Sequence, residues 1–165
     1  MITRIHEPFI RISLSRQDLA LIDGKTFLAK FPVSTAANGP GERLGSECTP
    51  RGWHRVCAKI GAGYPIDTVF RGRRPTGEIY QQALAERHPE QDWILTRILW
   101  LCGLEPGKNR CHAVDTMRRY IYVHGSPDNT KMGVPASHGC IRMRNWDIIE
   151  LFERIPRGIR VQIVE

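Results

Sequence analysis

Two short segments hold the residues best suited to chemistry. One is Tyr122-Val123-His124-Gly125-Ser126, and the other is Ser137-His138-Gly139-Cys140-Ile141-Arg142-Met143. A nucleophilic thiol needs a base to take its proton, a third group to orient that base, and N–H donors for the oxyanion that forms. Cys140 and His124 supply thiol and base, and the Gly125 carbonyl is a suitable holder of the imidazole tautomer. Gly139, just before Cys140, permits a sharp turn and close approach of a substrate. His138, Arg142 and Arg144 flank Cys140 with positive charge, a field expected to lower its pKa. On residue types alone three readings stay open. Cys140 is a nucleophile, a small buried apolar residue, or a zinc ligand with His124, His138 and Cys111 or His112. The last lacks the regular spacing of zinc fingers.

These groups require a rigid frame, and the sequence predicts one built mainly of strands. Residues 9–14 alternate apolar and polar, as a half-buried strand does. Residues 19–22 and 25–29 flank Asp23-Gly24, a hairpin signal. Residues 33–36, 53–59 and 67–70 are further short strand candidates. Residues 78–87 are rich in helix formers and stop before Pro89, which predicts a short helix. Residues 93–102 are apolar at most positions and read as a buried strand. Residues 120–123 read as the strand that delivers His124. Asn145 is a plausible N-cap for a helix carrying Ile148, Ile149, Leu151, Phe152 and Ile155, and residues 159–164 close the chain as a strand. The sum is a mostly-β domain with one or two helices, with no repeat or linker to divide residues 1–165.

Composition narrows the class. The chain has 165 residues, 41% of them hydrophobic and 25% charged, which excludes a disordered chain, a coiled coil and a collagen-like fibre. The longest unbroken apolar run, residues 98–102, falls far short of the ~20 that span a bilayer. Arg4, His6, Glu7, Arg11, Arg16, Asp18 and Asp23 interrupt every apolar core that a secretory signal would need. Five cysteines (Cys48, Cys57, Cys102, Cys111, Cys140) cannot all pair, and none forms a C-x-x-C. The net charge of +7 favours anions in general. The basic residues are scattered, and the one dense cluster, Arg71-Gly72-Arg73-Arg74, is too short for a nucleic-acid arm; it reads as a solvated loop, with a frame for the cleft as the alternative.

His124-Gly125 followed by Ser137-His138-Gly139-Cys140-Ile141-Arg142-Met143 closely resembles the active-site signature of the YkuD-type L,D-transpeptidase family. Thr49-Pro50-Arg51-Gly52-Trp53 is similar to a second segment of that family, and the resemblance runs from about Phe9 to the end. It implies a YkuD-like β-sandwich catalytic domain. It also implies cysteine acyl transfer on peptidoglycan stem peptides, between an L-centred third residue, usually diaminopimelate, and D-Ala, with no cofactor and no metal. Carried over by position, Cys140 is the nucleophile and His124 the base, with the Gly125 carbonyl as its orienter. The N–H groups of Gly139 and Cys140 form the oxyanion hole. His138 shapes the pocket, Ser137 fixes the loop, Arg142 binds a substrate carboxylate or braces the loop, and Arg144 meets substrate anions. With no secretion signal visible, the expected setting is the cytoplasm. The expected reaction is then hydrolysis of recycled tetrapeptides or muropeptides by an L,D-carboxypeptidase. The alternative is a transpeptidase that forms 3-3 cross-links or exchanges D-amino acids. Inhibition by carbapenem-type β-lactams is also implied, and neither nucleic acid nor a membrane is expected as a partner.

Overall fold

A computed structural model describes residues 7–165; Arg4 and His6 of the polar start lie outside them. Ten strands and two α-helices follow in chain order. They are β1 (Phe9–Ser13), β2 (Asp18–Asp23), β3 (Thr26–Pro32), β4 (Gly52–Ile60), β5 (Thr68–Arg71), β6 (Arg74–Ile79), α1 (Gln82–Arg87), β7 (Ile94–Gly103), β8 (Tyr122–Ser126), β9 (Ile141–Arg144), α2 (Asn145–Arg154) and β10 (Arg160–Val164). All ten strands join one sheet, in the order β3-β2-β1-β10-β4-β7-β5-β6, with β8 and β9 branching from β7. The mostly-β expectation holds, and the layered core comes from one curled sheet.

Strand β7 is the hub. It pairs with β4 through residues 98–103, with β5 through Leu95 and Ile94, and with β8 through residues 95–100. A long strand can serve three partners only if it bends. The bend is a bulge at residues 96–97, where Thr96 adopts φ +72°. The first and last described strands are neighbours: β1 pairs in parallel with β10, Phe9 to Arg160 through Ser13 to Val164. Alternation buries Ile10 and Ile12 from β1 and Val161 and Ile163 from β10. From α2, Ile148, Leu151 and Phe152 fill the same core at helical spacing, with Ile155 just beyond it.

Three local expectations are corrected. Residues 78–87 divide between β6 and α1. Gly77 at φ +89° and the pairing of β6 with β5 hold Glu78 and Ile79 extended, so the helix begins only at Gln82. Asn145 does not cap α2; Arg144 holds that position without a side-chain bond. Asn145 is spent on tertiary contacts, accepting from Thr96 Oγ1 at 2.6 Å and donating to Asp67 Oδ1 at 2.8 Å. Tyr120 sits at φ +55° in the turn before β8, so that strand starts two residues later than expected.

Candidate active site

Strands β8 and β9 run parallel and side by side, with His124 opposite Arg142. His124 stands in the middle of β8 and is fully buried. Its Nδ1 lies 2.7 Å from the Gly125 carbonyl oxygen. A carbonyl only accepts, so Nδ1 carries the hydrogen and Nε2 the lone pair. Nε2 is buried and has no hydrogen-bond partner. Burial lowers the His124 pKa, which keeps the ring neutral and basic at Nε2.

Cys140 is the last residue before β9. Its sulfur accepts from the Tyr122 N–H at 3.3 Å and donates to the Tyr120 carbonyl at 3.4 Å. The residue is half-buried and packs against a cluster of Phe70, Ile98 and Tyr122. The expectation of a lowered thiol pKa is reversed here. Loss of water around the sulfur pushes the pKa up to about 12, and the Tyr122 N–H only partly offsets it. The resting state is a thiol parked on a carbonyl.

The turn that presents Cys140 is fixed on both sides. Ser137, itself buried, donates from Oγ to the Cys140 carbonyl at 2.5 Å and accepts from the Gly139 N–H at 3.2 Å. The Gly139 N–H expected to serve the oxyanion is thus already bonded. Gly139 lies at φ +130°, and a Cβ there would meet Ile121 Cδ1 at 3.1 Å and the Cys48 carbonyl oxygen at 3.3 Å. Fully buried Thr49 donates to the Gly139 carbonyl at 2.9 Å and accepts from the Ala36 N–H at 3.0 Å. The Thr-Pro-Arg-Gly segment thereby reaches the nucleophile's turn across 90 residues of sequence.

Of the flanking cations, Arg142 takes the loop-bracing place. Arg142 donates to Asp92 Oδ1 at 2.8 Å and to the Ala136 carbonyl at 3.3 Å. His138 is exposed, with Nδ1 3.6 Å from Asp92 Oδ2. Asp92 thus joins two of the predicted residues, though nothing in its local sequence marks it. Arg144 is exposed at the far end of β9, where its charge bears on Asp147 of α2 rather than on Cys140. The Arg-rich cluster forms a tight turn, with Gly72 and Arg73 both at positive φ. It is more than a solvated loop. The Arg73 guanidinium lies 4.5 Å from the Trp100 ring centre and 5.1 Å from that of Tyr120, and donates to the Tyr122 hydroxyl at 3.1 Å. It closes an aromatic wall beside the thiol.

Among the described residues, no group of three or more His, Cys, Asp or Glu converges as metal ligands. A hollow of about 390 Å³ between Leu21, Leu28, Arg154 and Ile159 is lined by none of the residues around Cys140 and His124. The chemistry follows from the Cys140 and His124 placement rather than from cavity size.

Comparison with known proteins agrees with this geometry. Residues 7–163 match the L,D-transpeptidase catalytic domain pattern, YkuD. The probable L,D-transpeptidase YbiS of Escherichia coli K12 is 47% identical over 47 residues, 28% of this chain and 15% of that protein. The putative L,D-transpeptidase YkuD of Bacillus subtilis 168 is 41% identical over 46 residues, 28% of each chain. L,D-transpeptidase 3 of Mycobacterium tuberculosis, solved with a faropenem-derived adduct, superposes over 96% of this chain and 60% of its own, with TM-score 0.59 and 15% identity. That likeness establishes the fold. The matched stretches thus span well under a third of these curated relatives. Since the pattern runs through nearly every described element, from β1 into β10, the chain belongs to the L,D-transpeptidase catalytic domain family.

Proposed function

We propose that the chain transfers an acyl group from peptidoglycan stem tetrapeptides through a thioester on Cys140. One observation carries this reading. His124 is held as a neutral base with its lone pair at an unpartnered Nε2, on the strand adjoining the one that Cys140 leads into. For reaction the thiol leaves the Tyr120 carbonyl and gives its proton to His124 Nε2. The thiolate attacks the carbonyl carbon of the third stem residue. The Cys140 N–H steadies the oxyanion, since the Gly139 N–H is held by Ser137. Collapse breaks the C–N bond, and the departing D-Ala amine takes the proton back from His124. The thioester then passes to an acceptor activated by the same imidazole. Arg142 braces the loop through Ala136 and Asp92, and His138 lies at the mouth.

With water as acceptor the product is a tripeptide, which is the L,D-carboxypeptidase reading and goes with muropeptide recycling in the cytoplasm. With an amine of a second stem the product is a 3-3 cross-link, and the names of the relatives favour that second reading. Incubation with a disaccharide-tetrapeptide, with and without a D-amino acid or a second stem, separates the two by mass spectrometry. Tripeptide as the main product in both mixtures supports the carboxypeptidase. Dimer or exchanged tetrapeptide as the main product replaces it with the transpeptidase. Turnover that survives Cys140→Ala overturns the mechanism.

A further inference from the structure

We propose that Arg119 is the cation that stabilises the Cys140 thiolate, a positioning residue acting by charge rather than by contact with substrate. This rests on the reading of Cys140 as nucleophile. Arg119 immediately precedes Tyr120, whose carbonyl holds the resting thiol. Its guanidinium is half-buried and fixed by neutral acceptors alone. It donates to the Gly41 carbonyl at 3.1 Å, to Ser46 Oγ at 3.3 Å and to the Cys48 carbonyl at 2.6 Å. The Cys48 carbonyl in turn lies against Gly139, the residue before the nucleophile.

Three charges bear on the thiol, Asp92 and Arg142 more strongly than Arg119. Asp92 and Arg142 both bear on Cys140, with opposite signs, and they are bonded to each other. The unfavourable influence of Asp92 on a thiolate is the larger of the two. That pair therefore supplies no net help. Around Arg119 the titratable groups are Cys48, Glu42 and Cys140 itself. Glu42 is spent on Arg51, 2.8 Å from its Nε. Among the described residues no carboxylate lies within ion-pair distance of Arg119. A half-buried cation held by neutral dipoles is little screened, and its charge favours the Cys140 thiolate. Three acceptors from one loop hold the guanidinium in place, so little reorganisation is needed when the thiolate forms.

The test is the pH dependence of Cys140 alkylation by iodoacetamide, read at that cysteine by peptide mass mapping. Arg119→Gln keeps hydrogen-bonding capacity without charge, and should raise the midpoint and slow alkylation several-fold at a pH well below it. Arg119→Lys keeps the charge and should leave the midpoint near wild type. Ser46→Asp sets a carboxylate on the guanidinium without removing it, should raise the midpoint too, and decides the matter if Arg119→Gln does not fold. Asp92→Asn should shift the midpoint down. Equal shifts in Arg119→Gln and Arg119→Lys would reduce Arg119 to a structural pin of residues 41–48, and unmoved midpoints in Arg119→Gln and Ser46→Asp would also overturn the proposal. The readout needs no stem peptide, so an inert wild type toward tetrapeptide defeats the functional reading and not this one.

Discussion

Thr49→Val tests whether the Thr49-Pro50-Arg51-Gly52 segment matters for the turn that presents the nucleophile. The substitution preserves shape and removes one hydroxyl. That hydroxyl satisfies two backbone groups at once, the Ala36 N–H and the Gly139 carbonyl, at a residue with no exposure. Neither group has water to turn to, and an unsatisfied buried group costs about 1–3 kcal/mol. With some relaxation the sum is about 2–4 kcal/mol, a large share of the ~5–15 kcal/mol that holds a domain of this size together. At about 2–4 °C per kcal/mol, the melting temperature should fall by about 5–15 °C. Thr49→Ser keeps the hydroxyl and loses one methyl, worth about 1 kcal/mol. Denaturant midpoints of the two variants give the difference, and acylation of Cys140 by a carbapenem gives its effect on the turn. Thr49→Val should be both less stable and at least several-fold slower to acylate than Thr49→Ser. If their midpoints agree within about 0.5 kcal/mol, the hydroxyl is not bridging two otherwise unsatisfied groups and the reasoning fails.

Gly125→Ala would set a Cβ 2.4 Å from Asn145 Oδ1 and 2.6 Å from the Leu95 carbonyl oxygen, so β7, β8 and α2 must part; a loss of more than about 3 kcal/mol is expected, and a near-wild-type denaturation midpoint would contradict it. Burial lowers the pKa of His54 to about 4 and also lowers that of His124, from an ordinary value of 6.5. Their neutral forms favour the fold, so this stability is whole above pH 6.5 and is lost as pH falls towards 4. His54 alone accounts for up to about 3 kcal/mol of that loss, and stability that stays flat between pH 7 and 5 would refute the assignment. A carbapenem should add its full mass to the intact wild type and nothing to Cys140→Ala. A modified Cys140→Ala would place the reactive thiol at another of the five cysteines.

What the sequence revealed and what it hid divide along one line. Residues whose roles depend on near neighbours were readable: the β1 and β10 alternation, the apolar stripe of α2, and the His124–Gly125 bond that spans one residue. Residues whose roles depend on distant backbone were not. Arg119 is one of 24 basic residues, and its acceptors lie 71 to 78 positions away. Asp92 meets Arg142 across 50 positions. The thiol pKa failed for the same reason. Sequence supplies the charges beside Cys140 but not the water excluded from it, and desolvation is the larger influence. Asn145 had the right type for a cap, yet Thr96 and Asp67 claimed its side chain first.

The parallel pairing of β1 with β10 has a mechanical consequence. Tension applied to the two chain ends enters at the Phe9 end of one strand and leaves at the Val164 end of the other. The strands must then slide past each other rather than peel apart. All five rungs from Phe9–Arg160 to Ser13–Val164 share the load at once. A fold clamped in this way resists stretching by shear, with β8 and β9 off the sheet path that joins β1 to β10.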